Sequence, residues 1–118
     1  MAWEVVASEQ FNAWFASLTE AERGSVIRNI ELLRRFGPHL PDRYSRRITQ
    51  SRHSHMRELR IQHAGKPYRA LYAFDPRRRA VLLVGGDKTG DDRWYEKNVP
   101  VADRLYDEWL KKLDEEKG

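Results

Sequence analysis

Two apolar stripes of helical period lie in the first third of the chain. Phe11, Trp14, Phe15 and Leu18 recur at i, i+3, i+4 and i+7, and Val26, Ile27, Ile30 and Leu33 resume the stripe after a break. Ser8 can cap the first helix, because its hydroxyl accepts a free backbone N–H at a helix start. Thr19, with Glu22 three residues on, is the pattern of a capping box at the start of the second. Gly37 suits the left-handed closing position of a helix, and Pro38 cannot continue one. The spacing predicts a helical hairpin of Ser8–Ser17 and Glu20–Phe36, preceded by a short strand at Trp3–Val6.

The period then changes. Residues 37–54 are polar and basic and read as a long connection with a short strand near Ile48. Met56–His63 alternates Glu58, Arg60 and Gln62 with Leu59 and Ile61, and Tyr68–Phe74 is rich in aromatic residues. Ala64-Gly65-Lys66 is a hairpin signal between them, and Asp75-Pro76-Arg77 makes the next turn. Ala80–Val84 is a nearly unbroken apolar run, expected of a central strand buried on both faces, and Gly85-Gly86 reads as its end. Residues 87–98 read as polar and irregular. A last helix is expected from near Pro100, with Ala102, Leu105, Trp109 and Leu113 as its stripe. This order defines an α+β fold: a helical hairpin packed on a small antiparallel sheet, with a C-terminal helix. At 118 residues, without repeats or linkers, the expectation is a single domain over residues 1–118.

Composition narrows the setting. Without cysteine, disulfides and thiolate-bound metals are excluded. No apolar run is long enough for a bilayer, and "MAWEVVASEQF" lacks the basic start and long apolar stretch of a signal peptide. A soluble cytoplasmic protein with no membrane partner is the expectation. The net charge of +4 is unevenly spread. Arg46, Arg47, Arg52, Arg57 and Arg60 fall between Tyr44 and Arg60 with Glu58 the only acid, and Lys66, Arg69, Arg77, Arg78 and Arg79 follow with Asp75 alone. Such a concentration reads either as a site for a polyanion or as a solvated arginine-rich surface.

Catalytic motifs are sparse. His39, His53, His55 and His63 are not spaced like a structural zinc site, and no phosphate-binding loop or nucleophile triad is present. No cofactor and no metal are expected. The stronger clue is basic residues on strands. Arg60 and Arg69 fall on predicted hairpin partners, so they can approach each other across the sheet. One reason for them is structural, with Arg60 paired to Glu58 or another carboxylate. The other is functional, since a guanidinium fork suits a phosphate and the charge of a phosphoryl-transfer transition state. Lys88 follows the third strand of this sheet. Tyr95, in "RWYEK", can stack on a base, donate a proton or cover the core. Together Arg60, Arg69, Lys88 and Tyr95 can supply a cationic pocket on an RNA-binding face without any metal, with Arg46, Arg47, Arg52, His55, Arg57 and Lys66 as further candidates for that face.

The segment "MRELRIQHAGKPYRALYAFDPRRRAVLLVGGDKTG", Met56 to Gly90, resembles the core of the phage-derived, HigB-like branch of the RelE/ParE toxin superfamily. The "ELR" strand, the "YRALYAF" strand and the apolar strand ending in a Lys carry the likeness. "LRRFGPHL" and the closing helix extend it over nearly the whole chain. The resemblance implies helices packed on one face of a small antiparallel sheet whose other face is concave and basic. It implies a toxin that cleaves translated mRNA in the ribosomal A site without a metal, by attack of a ribose 2′-hydroxyl on the adjacent phosphate. By motif, the family's arginines and lysine fall on Arg60, Arg69 and Lys88, and Tyr95 matches the aromatic or acid–base residue near the C-terminus. The late histidine used as a base by some relatives has no clear counterpart; His55, His63 or orientation by the ribosome are the alternatives. The implied partners are mRNA, the ribosome and a cognate antitoxin of helix-turn-helix type. A ParE-like gyrase inhibitor on the same scaffold is the alternative function, and an inactive interaction protein a third.

Overall fold

The computed structural model describes residues 2–117. The elements in chain order are β1 (Val5–Ala7), α1 (Glu9–Ala16), α2 (Glu20–Phe36), β2 (Ser45–Arg47), β3 (Arg57–His63), β4 (Lys66–Phe74), β5 (Ala80–Asp87) and α3 (Trp94–Lys117). They form one five-stranded sheet of order β1-β5-β4-β3-β2. Antiparallel pairing joins β2 to β5, whereas β1 runs parallel to β5 with Val6 opposite Val81. The fold is α+β as expected, but the sheet is mixed, because the chain reaches its first helix straight from an edge strand and returns to that edge last.

Local signals account for the hairpin. The Ser8 hydroxyl accepts from Phe11 N–H at 3.0 Å. Thr19 and Glu22 complete the capping box: Glu22 N–H reaches Thr19 Oγ1 at 3.2 Å, and Thr19 N–H reaches Glu22 Oε1 at 2.7 Å. Glu22 also accepts from the Tyr68 hydroxyl on β4, which locks the start of α2 onto the sheet.

Side-chain alternation divides the core in two. Leu59, Ile61, Tyr68, Ala70, Tyr72 and Leu82 pack with Phe11, Val26 and Leu33 of the hairpin. Met56, Leu71, Ala73, Val81, Leu83 and Val84 pack on the opposite face with Trp94, Val99, Ala102 and Tyr106 of α3. Helices therefore lie on both faces, which corrects the expectation of one helical face and one open basic face. Coverage by α3 stops at β4. The face of β3 that carries Glu58, Arg60 and Gln62 has no helix over its apolar neighbours, and this corner is where the basic surface survives.

Two boundaries differ most from the sequence reading. The glycine pair does not end β5; it lies inside it, with Gly85 opposite Ala70 and Gly86 opposite Arg69. An added Cβ at Gly85 would come within 2.2 Å of the Trp14 ring, and one at Gly86 within 2.6 Å of the Trp94 indole. Adjacent residues point to opposite faces, so the pair makes room for one indole on each. The last helix begins at Trp94 rather than near Pro100, which lies inside it. Pro100 is exposed, so the Glu96 carbonyl that loses its helical donor faces the water side.

Hydrogen bonds from Tyr68 and Thr19 pull the Glu22 carboxyl from its ordinary 4.5 down to about 2. A depressed folded value stabilises above the unfolded one, so this contribution is present above about pH 4.5 and is lost as pH falls towards 2. Urea midpoints measured across this window should fall for the wild type and should fall less steeply for Glu22→Gln. Gly85→Ala should destabilise by about 1–3 kcal/mol through overpacking against Trp14, read from equilibrium unfolding.

Candidate active site

The register of the central hairpin builds the site. Arg60 on β3 lies directly opposite Arg69 on β4, and Glu58 lies opposite Leu71 on one side and Arg46 of β2 on the other. Residues opposite each other share a face, so Arg46, Glu58, Arg60 and Arg69 stand on the corner that α3 leaves open. Gly86 stands beside Arg69 on β5, and the Trp94 ring lies against it. That contact seats the first turn of α3 at the same corner and brings Tyr95 with it. Lys88 follows β5, its backbone N–H bonded to Pro67 O at 3.0 Å, and its ammonium lies 5.7 Å from the centre of the Tyr95 ring.

Glu58 is the centre of this group and is only 6% exposed. Its Oε1 accepts from the Tyr95 hydroxyl at 2.5 Å and lies 3.0 Å from Arg69 Nε, and its Oε2 lies 3.7 Å from Arg60 Nη1. Arg69 is 5% exposed. Its Nε is close to the carboxylate yet makes no hydrogen bond, so charge rather than a directed N–H joins the pair. Another Arg69 nitrogen donates to Tyr68 O at 2.9 Å. Arg60 is the more open cation, its side chain 29% exposed. Burial first, and then the bond to Glu58, raise the Tyr95 phenol above its ordinary value, so it holds its proton at neutral pH. A cleft of about 530 Å³ opens beside these groups, lined by Asn29, Arg43, Tyr44, Arg60, Gln62 and Arg69.

Of the four residues read as catalytic, Arg60, Arg69 and Tyr95 thus meet around one carboxylate, and Lys88 lies over the Tyr95 ring. Of those read as RNA-binding, Arg46 alone shares their sheet face. Arg57 points the other way, its guanidinium on Ser45 Oγ at 2.9 Å, and Ser45 in turn bonds the Tyr72 hydroxyl. Arg47 lies opposite Arg57 and shares that face, and Lys66 is at the hairpin turn opposite His63. Arg52 pairs with Asp107, and His55 Nε2 meets the Tyr106 hydroxyl at 2.9 Å. Both help to clasp the loop before β3 onto α3, with Ser51 on Asp103 and His53 on Asp107. Tyr106 is eleven residues beyond Tyr95, about 16 Å along the helix at 1.5 Å per residue. His55 is thus remote from Glu58, and His63 faces α2, bonded to Ser25 Oγ at 2.7 Å. Neither histidine stands with the cluster.

The residue that the candidate sites omit is Glu58. Its signal was in the sequence: it is the one acid in a run of five arginines, two positions from Arg60 and hence on the same strand face. Its burial between β4 and α3 was not legible. Among the described residues no group of three His, Asp or Glu gathers to hold a metal ion, and no helix is long and apolar enough to cross a membrane.

Comparison with known proteins places this arrangement. Residues 13–107 match the family described as "Phage derived protein Gp49-like (DUF891)". The Mycobacterium tuberculosis (strain ATCC 25618 / H37Rv) protein named "Putative toxin HigB3" is 41% identical over 107 residues, spanning 90% of this chain and 92% of that protein. "Putative toxin HigB2" of the same strain is 34% identical over 111 residues, spanning 92% of this chain and 55% of that protein. A chain of the archaeal RelE-RelB complex from Pyrococcus horikoshii OT3 superposes with a TM-score of 0.56 at 14% identity, over 76% of this chain and 99% of that one. The fold is that of the RelE toxins, and the chain belongs to the phage-derived Gp49-like family, the HigB-like branch of the RelE/ParE toxins.

The burial of Glu58 and Arg69 changes what a substitution there reports. Arg69→Met alone strands a buried carboxylate and should cost about 3–5 kcal/mol of stability. The double variant Glu58→Leu/Arg69→Met should recover most of that loss in the same denaturation assay. A double variant as unstable as the single one would show that the two side chains are not coupled.

Proposed function

We propose that this toxin is a ribosome-dependent endoribonuclease that cuts translated mRNA, and that Arg60, Arg69, Lys88 and Tyr95 form its reaction centre. The observation that carries the reading is the convergence of these four side chains, from two strands, a turn and a helix start, on one open corner of the sheet. In this reaction the ribose 2′-oxygen attacks the adjacent phosphorus, the bond to the 5′-oxygen breaks, and a cyclic phosphate remains. Arg60 and Lys88, the cations with exposed surface, face the phosphate and stabilise the charge that grows on it. Arg69 acts from below, fixing Glu58 and Tyr95. A site lined with guanidinium and ammonium groups repels a divalent cation, and the reaction needs none of its own. Few groups here can align a flexible RNA, so the ribosome supplies the in-line geometry and the enzyme acts in the cytoplasm.

The partner is a cognate antitoxin encoded beside the toxin and carrying a helix-turn-helix domain. Support for a partner of this kind comes from the solved relative, which is a RelE-RelB complex.

Primer extension on a translated message after induction tests the cleavage. Discrete new 5′ ends that need ribosomes and persist in a chelator of divalent ions beyond ribosomal needs are expected. Intact message, or efficient cutting of naked RNA that a chelator abolishes, overturns the reading. Inhibition of gyrase supercoiling with intact message would point to the alternative. Arg60→Ala should lower the cleavage rate by about a hundred- to thousandfold with the circular dichroism spectrum unchanged.

A further inference from the structure

We propose that Glu58 is the proton sink of the reaction and is reached through the hydroxyl of Tyr95. The proposal deepens the nuclease reading and rests on it.

Three observations meet at this pair. Glu58 is the carboxylate at the centre of the corner, and neither histidine stands there to take a proton. Tyr95 is bonded directly to Glu58 and only half-buried, and its hydroxyl proton is already given to Glu58 Oε1 at 2.5 Å. That commitment leaves only lone pairs on the phenol oxygen, with the Arg69 guanidinium also close to it, so towards substrate Tyr95 is an acceptor. The raised phenol also argues against Tyr95 alone as the base, because a lasting phenolate beside Glu58 is disfavoured. Passing the proton on avoids that species.

The step balances as follows. The 2′-O–H bond breaks and its proton goes to the Tyr95 oxygen, while the Tyr95 proton moves to Glu58 Oε1. The electron pair left on the 2′-oxygen forms the new bond to phosphorus. The P–O5′ bond breaks, its pair leaves on the 5′-oxygen, and that oxygen takes a proton from the Lys88 ammonium. Arg69 has a matching part. Its guanidinium lies 3.0 Å from Oε1 and offsets the buried charge there, without donating a hydrogen bond that would occupy the same lone pair. Glu58 acts through Tyr95 and is a positioning residue in this sense. The other charges that face it are Arg46 from β2 and Arg60 on β3, with Lys88 over the Tyr95 ring.

Glu58→Gln removes the proton acceptor while its amide oxygen can still take the Tyr95 hydroxyl; it also strips Arg69 of its buried counter-charge, so cleavage is compared at a temperature where circular dichroism shows the variant folded. In a purified translation system, single-turnover cleavage by Glu58→Gln should fall about a hundred- to ten-thousandfold with message binding unchanged. The fall in rate on the acid side of the wild-type pH profile should vanish in this variant. Tyr95→Phe keeps the Glu58–Arg69 pair and should lose rate by a similar factor, and the double variant should be no slower than either single one. Tyrosine absorbance, taken as a difference against Tyr95→Phe, should show Tyr95 ionising at lower pH in Glu58→Gln than in the wild type, whether or not the variant cuts RNA. A wild type that leaves translated message intact overturns both the nuclease reading and the relay. A wild type that cuts, with Tyr95→Phe or Glu58→Gln cutting at the same rate and with the same pH profile, overturns the relay alone.

Discussion

A carboxylate taken out of water must be compensated where it sits, and Glu58 is compensated by groups from three elements. Arg69 reaches it from the neighbouring strand, Arg60 from its own, and Tyr95 from the first turn of α3. Removing Arg69, the buried cation among them, leaves a carboxylate without its close counter-charge. The corner of the sheet that only the first turn of α3 reaches is therefore held together by electrostatics as well as by the packing of Trp94 on Gly86. The same constraint sets its directions: Arg69 is pinned inward and the Tyr95 proton is spoken for. Arg60 is left leaning towards solvent.

The way the helices reach the sheet explains why the corner exists. Gly85 and Gly86 are neighbours on β5, and each gives up its side chain to an indole, Trp14 on one face and Trp94 on the other. Both α1 and α3 thus anchor at the same end of the same strand, from opposite sides. For α3 this fixes the starting point next to Arg69, and the helix then runs away over β4 and β5 along Val99, Ala102 and Tyr106. Its first turn is the part left within reach of β3. The pairing of β4 with β5 shifts between Leu71 and Tyr72, which leaves Leu83 of β5 without an opposite residue just before the glycine pair.

The helical hairpin and the three central strands were legible in the sequence because each carries a single period and explicit caps or turns. The capping box at Thr19 and Glu22 is the clearest instance. The start of α3 was misread because proline is favoured in a first helical turn, and Pro100 outweighed Trp94 and Tyr95. Yet Tyr95, Val99, Ala102 and Tyr106 already stand at helical spacing. Gly85-Gly86 looked like a strand end because nothing in a linear pattern shows that an indole will fill the missing side chain. The pairing of Arg60 with Arg69 was legible from hairpin register alone. That Glu58 would bind Arg69 more closely than Arg60 was not, since it depends on which guanidinium is buried.

The same distinction separates a basic stretch of sequence from a basic face. Between Tyr44 and Arg79 many of the cations have partners within the protein: Arg57 on Ser45, Arg79 on Asp75 and Arg69 on Glu58, and, in exposed pairs, Arg52 on Asp107 and Arg77 on Glu116. Around the open corner the cations that face outward reduce to Arg43, Arg46, Arg60 and Lys88. Affinity for a polyanion grows with the number of phosphates neutralised, and it falls steeply with salt when that number is large. So few charges suit brief contact with one phosphate and its neighbours, not a firm grip on a long strand. On the proposed reading this is the economy expected of an enzyme whose substrate is held by another body. On that reading the ribosome would fix the strand, and the toxin would contribute a phosphate-facing pair of cations and a route for one proton.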